Sequence, residues 1–164
     1  MKSTVISILL LTCAASAMST EDSLKLVGEA RLKVLLWSVY DSRLYSKTGN
    51  YNPELRPLRF EIEYLRNIQA SDLVLQTELE WEQQGVDHPR RAQWLETLLK
   101  IWPDVAEDDV LTLHLDEQGE STFYSNDVLL GKIGDPDFGV HFLDIWLSPA
   151  TSRPGLREGL LGQF

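Results

Sequence analysis

The chain has 164 residues, which is enough for one domain with a real core and short for two. Hydrophobic residues at 43% and charged residues at 24% are ordinary globular values and exclude a disordered or fibrous class. The 25 acidic and 15 basic side chains give a formal net charge of −10, so the surface as a whole repels nucleic acid and anionic lipid headgroups.

The first residues have the order of a secretory signal peptide. Lys2 supplies a positive charge, residues 5–11 an apolar run, and Ala15 and Ala17 a small-x-small cleavage site. The apolar run is well short of the roughly 20 residues that a membrane span needs. The sequence therefore predicts a signal peptide over residues 1–17, a single domain over 18–164 and no membrane span, with the product secreted across the inner membrane to the periplasm.

A lipoprotein is the alternative at this end of the chain. Leu10, Leu11, Thr12 and Cys13 come close to a lipid-attachment motif, but Thr12 stands where a smaller residue is preferred. Cys13 is the only cysteine, so its removal with the signal peptide would leave a mature protein without a thiol or a disulfide.

The first part of the mature chain favours β-structure. Residues 24–46 are dense in β-branched and aromatic residues and predict two long strands or one bent strand. Residues 58–64 alternate apolar and charged side chains and predict a strand with one buried face. The same alternation places Arg31 with Glu29 and Lys33, on the polar side of its strand.

Two amphipathic helices are predicted next. The first runs over residues 71–84, with Ser71 as its cap and Gly85 as its stop. The second begins at Pro89 and ends at Pro103. The apolar residues that recur at helical spacing are Val74, Leu75, Leu79 and Trp81 in the first helix, and Trp94, Leu95, Leu98, Leu99 and Trp102 in the second.

Strands return after an acidic turn. Residues 110–115 alternate as a strand, and residues 121–125 and 128–133 form a hairpin about an Asn-Asp turn. Asp135 and Pro136 have the order of an N-cap and first helical residue. The helix that follows ends at Pro149, and Thr151 or Ser152 can cap a short last helix. The apolar stripe of the longer helix, which begins at Pro136, is Phe138, Phe142, Ile145 and Trp146.

This order of elements predicts an α+β fold. Strands follow one another at both ends with helices between and after them, which is typical of a largely antiparallel sheet covered on one face.

No stretch of the chain is a self-sufficient catalytic motif, and no cofactor or metal is predicted. His88, His114 and His141 fall in a loop, a strand and a helix without ligand spacing. Asp144 interrupts an apolar helix face, and an exposed position explains it best. The oligomeric state is not indicated.

The C-terminal third carries a family resemblance. The string N-D-V-L-L-G-K-I-G-D-P-D-F, followed by F-L-D-I-W-L-S-P-A-T-S-R-P-G-L-R-E-G-L-L-G, resembles the bacterial exported members of the chalcone isomerase-like family. The resemblance extends over nearly the whole mature chain. It implies the chalcone isomerase-like fold, an antiparallel sheet with helices packed on one face and an apolar cleft between the two layers.

The resemblance also implies ligand-binding residues. Plant enzymes of this fold and their fatty-acid-binding relatives hold an arginine and a tyrosine or threonine at the pocket, and Arg31, Tyr40 and Tyr45 resemble that set. The competing interpretations are a solvated arginine, as the strand alternation indicates, and tyrosines that only pack in the core. A guanidinium can pair with a carboxylate and a tyrosyl hydroxyl adds a directional donor.

Two functions are consistent with these features. The first is a non-catalytic exported domain that binds a small apolar or fatty-acid-like molecule, or serves a partner protein. The second is an intramolecular lyase or isomerase of the chalcone isomerase type. The first is favoured because no suitably spaced general acid or base is evident in the sequence.

Overall fold

The computed structural model describes residues 23–163. The predicted signal peptide, with Cys13, lies outside the described residues. No helix within the described part of the chain is long and apolar enough to cross a membrane.

Six strands form one sheet in the order of the sequence, and every neighbouring pair is antiparallel. The strands are β1 Lys25–Val34, β2 Trp37–Ser46, β3 Leu58–Tyr64, β4 Val110–Leu115, β5 Ser121–Ser125 and β6 Val128–Ile133. The helices are α1 Ala70–Gln83, α2 Arg91–Ile101, α3 Pro136–Leu147 and α4 Pro154–Leu160. The predicted α+β class with a helix-covered antiparallel sheet is confirmed.

Strand alternation decides which side chains enter the core. In β3, Leu58, Phe60, Ile62 and Tyr64 are buried while the residues between them are only partly covered. Leu58, Phe60 and Ile62 pair with buried residues of both β2 and β4, and Tyr64 pairs with Tyr40 of β2. The inner face of the sheet is therefore apolar, and the helices cover it.

The third helix is the main cover of that face. Its predicted stripe of Phe138, Phe142, Ile145 and Trp146 is buried as expected. The Asp135 side chain accepts a hydrogen bond from the Asp137 amide, so the predicted N-cap and Pro136 start are also confirmed. The aromatic rings of Phe60 and Trp146 lie 4.7 Å apart and join the helix to the sheet.

The other three helices do not begin at the residues that the sequence predicts. α1 begins at Ala70 after an N-cap at Gln69, so Ser71 is not its cap. The Ala70 amide donates to Asp104 Oδ1, which lies 34 residues further along the chain. A partner so distant in sequence replaces the local cap.

α2 and α4 also begin later than expected. Pro89 precedes α2 by two residues, because the Arg91 amide bonds to the His88 carbonyl in a turn. α4 has its N-cap at Arg153, and the Thr151 hydroxyl accepts from the Arg153 amide in the turn before the helix.

The buried side of α1 also differs from the prediction. Val74 and Trp81 are buried, but Leu75 is 52% and Leu79 47% exposed. Thr77 and Glu80 take their places on the buried side. Both line a cavity described below, which explains why polar side chains occur there.

The fourth helix packs against the first strand with no room for a side chain. A Cβ atom on Gly28 would collide with the Gly159 carbonyl oxygen and lie 2.8 Å from the amide nitrogen of Gly162. Gly162 itself has a φ of +65°, which favours glycine. Gly28 therefore lets the end of the chain lie directly on the edge of the sheet.

Candidate functional site

A cavity of about 280 Å³ lies between the inner face of the sheet and the helices. This is near the lower end of the volumes typical of small-molecule sites. Its walls are mostly apolar, from Leu32, Ile62 and Leu111 on the sheet and Leu73, Phe142 and Ile145 on the helices. The cavity follows from the strand alternation and the α3 stripe, which direct apolar side chains into the same layer.

Tyr40 lies in this cavity and is largely buried. Its hydroxyl oxygen accepts a hydrogen bond of 2.8 Å from Trp146 Nε1. Burial is the main cause that raises the pKa of Tyr40 to about 12, so the phenol is neutral at ordinary pH. Among the described residues no acceptor takes the Tyr40 proton, which leaves that O–H able to donate to a ligand.

Tyr64 stands beside Tyr40 at the same end of the cavity. The two rings meet edge to face with centroids 6.1 Å apart. Complete burial raises the pKa of Tyr64 as well, so this part of the wall carries no charge.

One corner of the cavity is polar, with Gln76 and Glu80 from α1 and Ser152 and Arg153 from the turn before α4. The Glu80 carboxylate is almost fully buried, and it accepts from Ser152 Oγ at 2.8 Å and from Gln76 Nε2 at 3.0 Å. These two donors stabilise a carboxylate that would otherwise lose its hydration on burial.

Arg153 is the cation of this corner. Among residues 23–163 its guanidinium has no hydrogen-bond or salt-bridge partner. Its positive charge lowers the pKa of Tyr40 and so opposes the larger effect of burial. An arginine with unused donors at the edge of an apolar cavity is suited to an anion.

Trp102 adds a polar atom to an apolar part of the wall. Its side chain lines the cavity and is 6% exposed, and its Nε1 has no hydrogen-bond acceptor in the described structure. A buried donor without an acceptor costs about 1–3 kcal/mol.

The structure separates the three residues singled out in the sequence. Tyr40 lines the cavity, but Arg31 and Tyr45 lie on the outer face of the sheet, because their strand positions have the opposite parity. Arg31 forms a bidentate ion pair with Asp41, with both nitrogen-to-oxygen distances at 2.6 Å. The alternation that set Arg31 on the polar side of its strand describes its position correctly.

Tyr45 is engaged on the outer face in a similar way. Its hydroxyl donates to Glu61 Oε2 at 3.1 Å, and the guanidinium of Arg59 lies 4.2 Å above its ring. In this structure neither Arg31 nor Tyr45 can contact a molecule in the cavity.

Arg153 and Glu80 were missed by the sequence reasoning. Glu80 falls on the buried side of α1, three residues after Thr77, and only an i, i+3, i+6 count from Val74 that includes the polar Thr77 would have placed it there. Arg153 precedes a seven-residue helix, and no local pattern marks it.

Two of the three histidines lie near each other in the structure. His88 and His141 come within 5.7 Å, ring centre to ring centre, around Trp94. Over residues 23–163 no three His, Cys, Asp or Glu side chains are arranged to hold a metal ion. Asp144 is half-buried, and burial raises the pKa of its carboxyl group, so it is less exposed than expected.

Comparison with known proteins decides the family. The model of the chalcone isomerase-like family matches residues 11–162. The chain belongs to the chalcone isomerase-like family. The resemblance found in the C-terminal third therefore extends over most of the sequence.

Relatives of this chalcone isomerase-like protein include an uncharacterised protein of Haemophilus influenzae. The two are 28% identical over 138 residues, which span 84% of this chain and 67% of the other. Among solved structures, the fatty-acid binding protein AtFAP1 of Arabidopsis thaliana superimposes with a TM-score of 0.70 at 12% identity, over 87% of this chain and 88% of that one. At that identity the likeness shows the fold.

Proposed function

We propose that this chalcone isomerase-like domain binds a small apolar molecule with an acidic headgroup, such as a fatty acid, without transforming it. The observation that carries the proposal is an apolar cavity with one polar corner, where Arg153 has no partner within residues 23–163. The fatty-acid binding of the Arabidopsis protein with the same fold is consistent with it.

The polar corner gives the ligand a direction. Arg153 and the Tyr40 hydroxyl can both donate to a carboxylate, while the Glu80 carboxylate repels one. The headgroup would therefore lie on the Arg153 side, and the alkyl chain would extend along Phe142 and Ile145. The net charge of −10 opposes an anion, so a local cation has to overcome that field.

Fluorescent fatty-acid titrations of wild type and variants test the proposal. A charge-assisted hydrogen bond is worth about 1.5–3 kcal/mol, so Arg153→Ala should weaken binding roughly tenfold to a hundredfold. Arg153→Lys should also bind less tightly, because a point charge cannot reproduce the bidentate geometry of a guanidinium. The corresponding fatty alcohol should bind wild type and Arg153→Ala equally.

The matched control is Arg31→Ala, which removes an arginine from the outer face of the same sheet. It should leave the affinity unchanged, because Arg31 is paired with Asp41 and does not reach the cavity. Equal affinity of wild type and Arg153→Ala would exclude Arg153 as the headgroup contact. Absence of binding to any fatty acid or alcohol would exclude the function.

The competing lyase activity is tested with the same protein. A neutral Tyr40 with a pKa near 12 cannot act as a base at ordinary pH, although its hydroxyl could still polarise a substrate oxygen. Cyclisation of a chalcone by wild type, lost in Tyr40→Phe, would establish a reaction in place of simple binding.

We also propose that the domain acts after export to the periplasm. The support is the charged, apolar and small-residue order of residues 1–17. The intact mass of protein from a periplasmic fraction measures this directly: loss of residues 1–17 is expected, and a lipid-modified Cys13 or an uncleaved cytoplasmic chain would contradict it.

A further inference from the structure

The turn between β1 and β2 presents four consecutive apolar side chains to water. Val34 is 42%, Leu35 93%, Leu36 96% and Trp37 66% exposed. We call these four residues the hairpin tip. Beyond the Tyr40–Tyr64 pair the β2–β3 register ends, while β1 and β2 continue to pair up to Val34 and Trp37. The hairpin tip therefore projects past the end of the third strand.

Leu35 is held in an unusual conformation. Its φ is +56°, a left-handed backbone region that glycine and asparagine adopt more readily than leucine. A turn that needed only to reverse the chain would be served better by either of those residues. The Leu35 side chain makes no contact with the core, within the described residues, that would offset the energetic cost of this backbone conformation.

Two cations lie next to the hairpin tip, although the chain as a whole is acidic. Residues 30–40 contain Arg31 and Lys33 and no acidic residue. The guanidinium of Arg66, from the loop after β3, lies 5.5 Å above the Trp37 ring. Arg31 is paired with Asp41, while Lys33 and Arg66 are cations next to the hairpin tip, and Asp72 of α1 lines the cavity together with Val34.

A second exposed apolar pair at the same end of the sheet provides a comparison. Val128 is 66% and Leu129 56% exposed at the start of β6. Asp127 adjoins them, and Asp109 bonds to Asn126 of the same turn. One corner of this end of the sheet is therefore apolar and cationic, and the other is apolar and acidic.

We propose that the hairpin tip inserts into the interface of a phospholipid bilayer. The order of side chains along the hairpin tip matches the depth profile of that interface. The leucines at the apex would reach the acyl chains, the tryptophan at the base would lie in the glycerol region, and the cations around it would meet the phosphates. Four side chains are few against the roughly 20–30 residues a side of a stable protein–protein interface, which disfavours a second copy as the occupant.

The position of the hairpin tip gives the contact a use. Val34 belongs both to the hairpin tip and to the cavity wall. Val39, two residues after the tip in β2, also lines the cavity. Docking of the tip would place the cavity next to the acyl chains of the membrane. An apolar ligand could then move between bilayer and cavity with little exposure to water.

Vesicles of pure phosphatidylcholine test the insertion without any ligand. Trp37 is the exposed tryptophan of the five, since Trp81, Trp94, Trp102 and Trp146 are all buried. We expect the tryptophan emission to shift to the blue and to become open to quenching by brominated acyl chains when vesicles are added. The protein should also float with the vesicles in a density gradient.

The variant that removes the insertion is Leu35→Asn with Leu36→Ser. Asparagine tolerates the left-handed backbone, so the fold should persist, which circular dichroism checks. Vesicle partitioning should fall about tenfold or more, because two fully exposed leucines are lost from the inserted part. Trp37→Phe should still float but lose the fluorescence change.

The control is Val128→Ser with Leu129→Ser, which removes a second, less exposed apolar pair from the acidic corner. It should float as wild type does. Equal loss of flotation in both double variants, or no flotation of wild type, would overturn the proposal. So would self-association of wild type that the Leu35→Asn, Leu36→Ser variant abolishes in the absence of lipid. Vesicle flotation does not depend on fatty-acid affinity, so the two proposals fail separately.

Discussion

The two faces of the sheet use the same strands for opposite purposes. The inner face places Leu44, Phe60 and Leu113 against the helices, all at 2% exposure or less. On the outer face the neighbouring positions form a network of ion pairs open to water, such as Arg43 with Glu63 at 3.0 Å. A shift of one residue along a strand changes a side chain from one environment to the other.

Two tyrosines of β2 show what this difference means for function. Tyr40 and Tyr45 are five residues apart, an odd number, so they lie on opposite faces. Tyr40 meets Trp146 in the cavity, and Tyr45 meets Glu61 and Arg59 in the outer network. Residue type alone therefore does not show which tyrosine lines the cavity, whereas strand parity does.

The largest effect on stability is expected from a truncation on the inner face. Phe60→Ala should lower the free energy of unfolding by about 3–5 kcal/mol, because the ring is 2% exposed and packs on Trp146. Urea denaturation measures the loss. The control on the outer face of the same strand is Glu63→Gln, which should cost about 1 kcal/mol or less. Similar losses for the two variants would contradict the assignment of the faces.

A smaller effect is expected from removing one hydroxyl. Tyr40→Phe leaves the indole N–H of Trp146 without its acceptor inside the protein, which should cost about 1–3 kcal/mol in urea denaturation. Tyr45→Phe removes a hydroxyl that is bound to Glu61 at a more open site, and it should change stability by about 0.5 kcal/mol or less. A larger loss of stability for Tyr45→Phe than for Tyr40→Phe would show that the hydroxyl in the outer network stabilises the fold more than the buried hydroxyl does.

The smallest effect concerns the titration of Asp41. The Arg31 guanidinium holds the pKa of the Asp41 carboxyl below its usual range. A carboxyl whose pKa is lower in the folded state stabilises the protein above its unfolded pKa, and that contribution is lost as the pH falls through the folded pKa.

Carbon-detected NMR of the side-chain carboxyl measures this. In Arg31→Ala the midpoint of Asp41 should rise toward the ordinary value, and the acid end of the stability profile should change only slightly, because the pair is exposed to solvent. A midpoint that does not move in Arg31→Ala would mean that the ion pair does not persist in solution.

The parts of the fold that local signals control could be predicted from the sequence. The alternation of residues 58–64 gave β3 with its faces, and Asp135 with Pro136 gave the start of α3 to the residue. In each case the cause lies within a few residues of its effect. The start of α1 was misjudged because its amide partner, Asp104, comes from a distant turn.

The candidate site was less predictable for the same reason. Tyr40 could be found because a strand and a family resemblance both pointed to it. The cavity is lined by strands, α1 and the turn before α4, and Tyr40 and Arg153 line it although they are more than a hundred residues apart in the sequence. Helical periodicity also assumes a fully apolar contact, so it placed Leu79 inside and left out Glu80, whose carboxylate is stabilised by Ser152.

The contact between Gly28 and α4 has a consequence for biosynthesis. The two segments are separated by about 130 residues of sequence, and α4 is the element that lies on the backbone of β1 at the free edge of the sheet. While the chain is being made, β1 emerges early and its covering helix emerges late. During that interval the face of β1 that α4 covers, with Gly28 and its neighbours bare, is exposed to other chains. A holding chaperone, or delayed folding of the whole domain, would protect the newly made protein until α4 arrives.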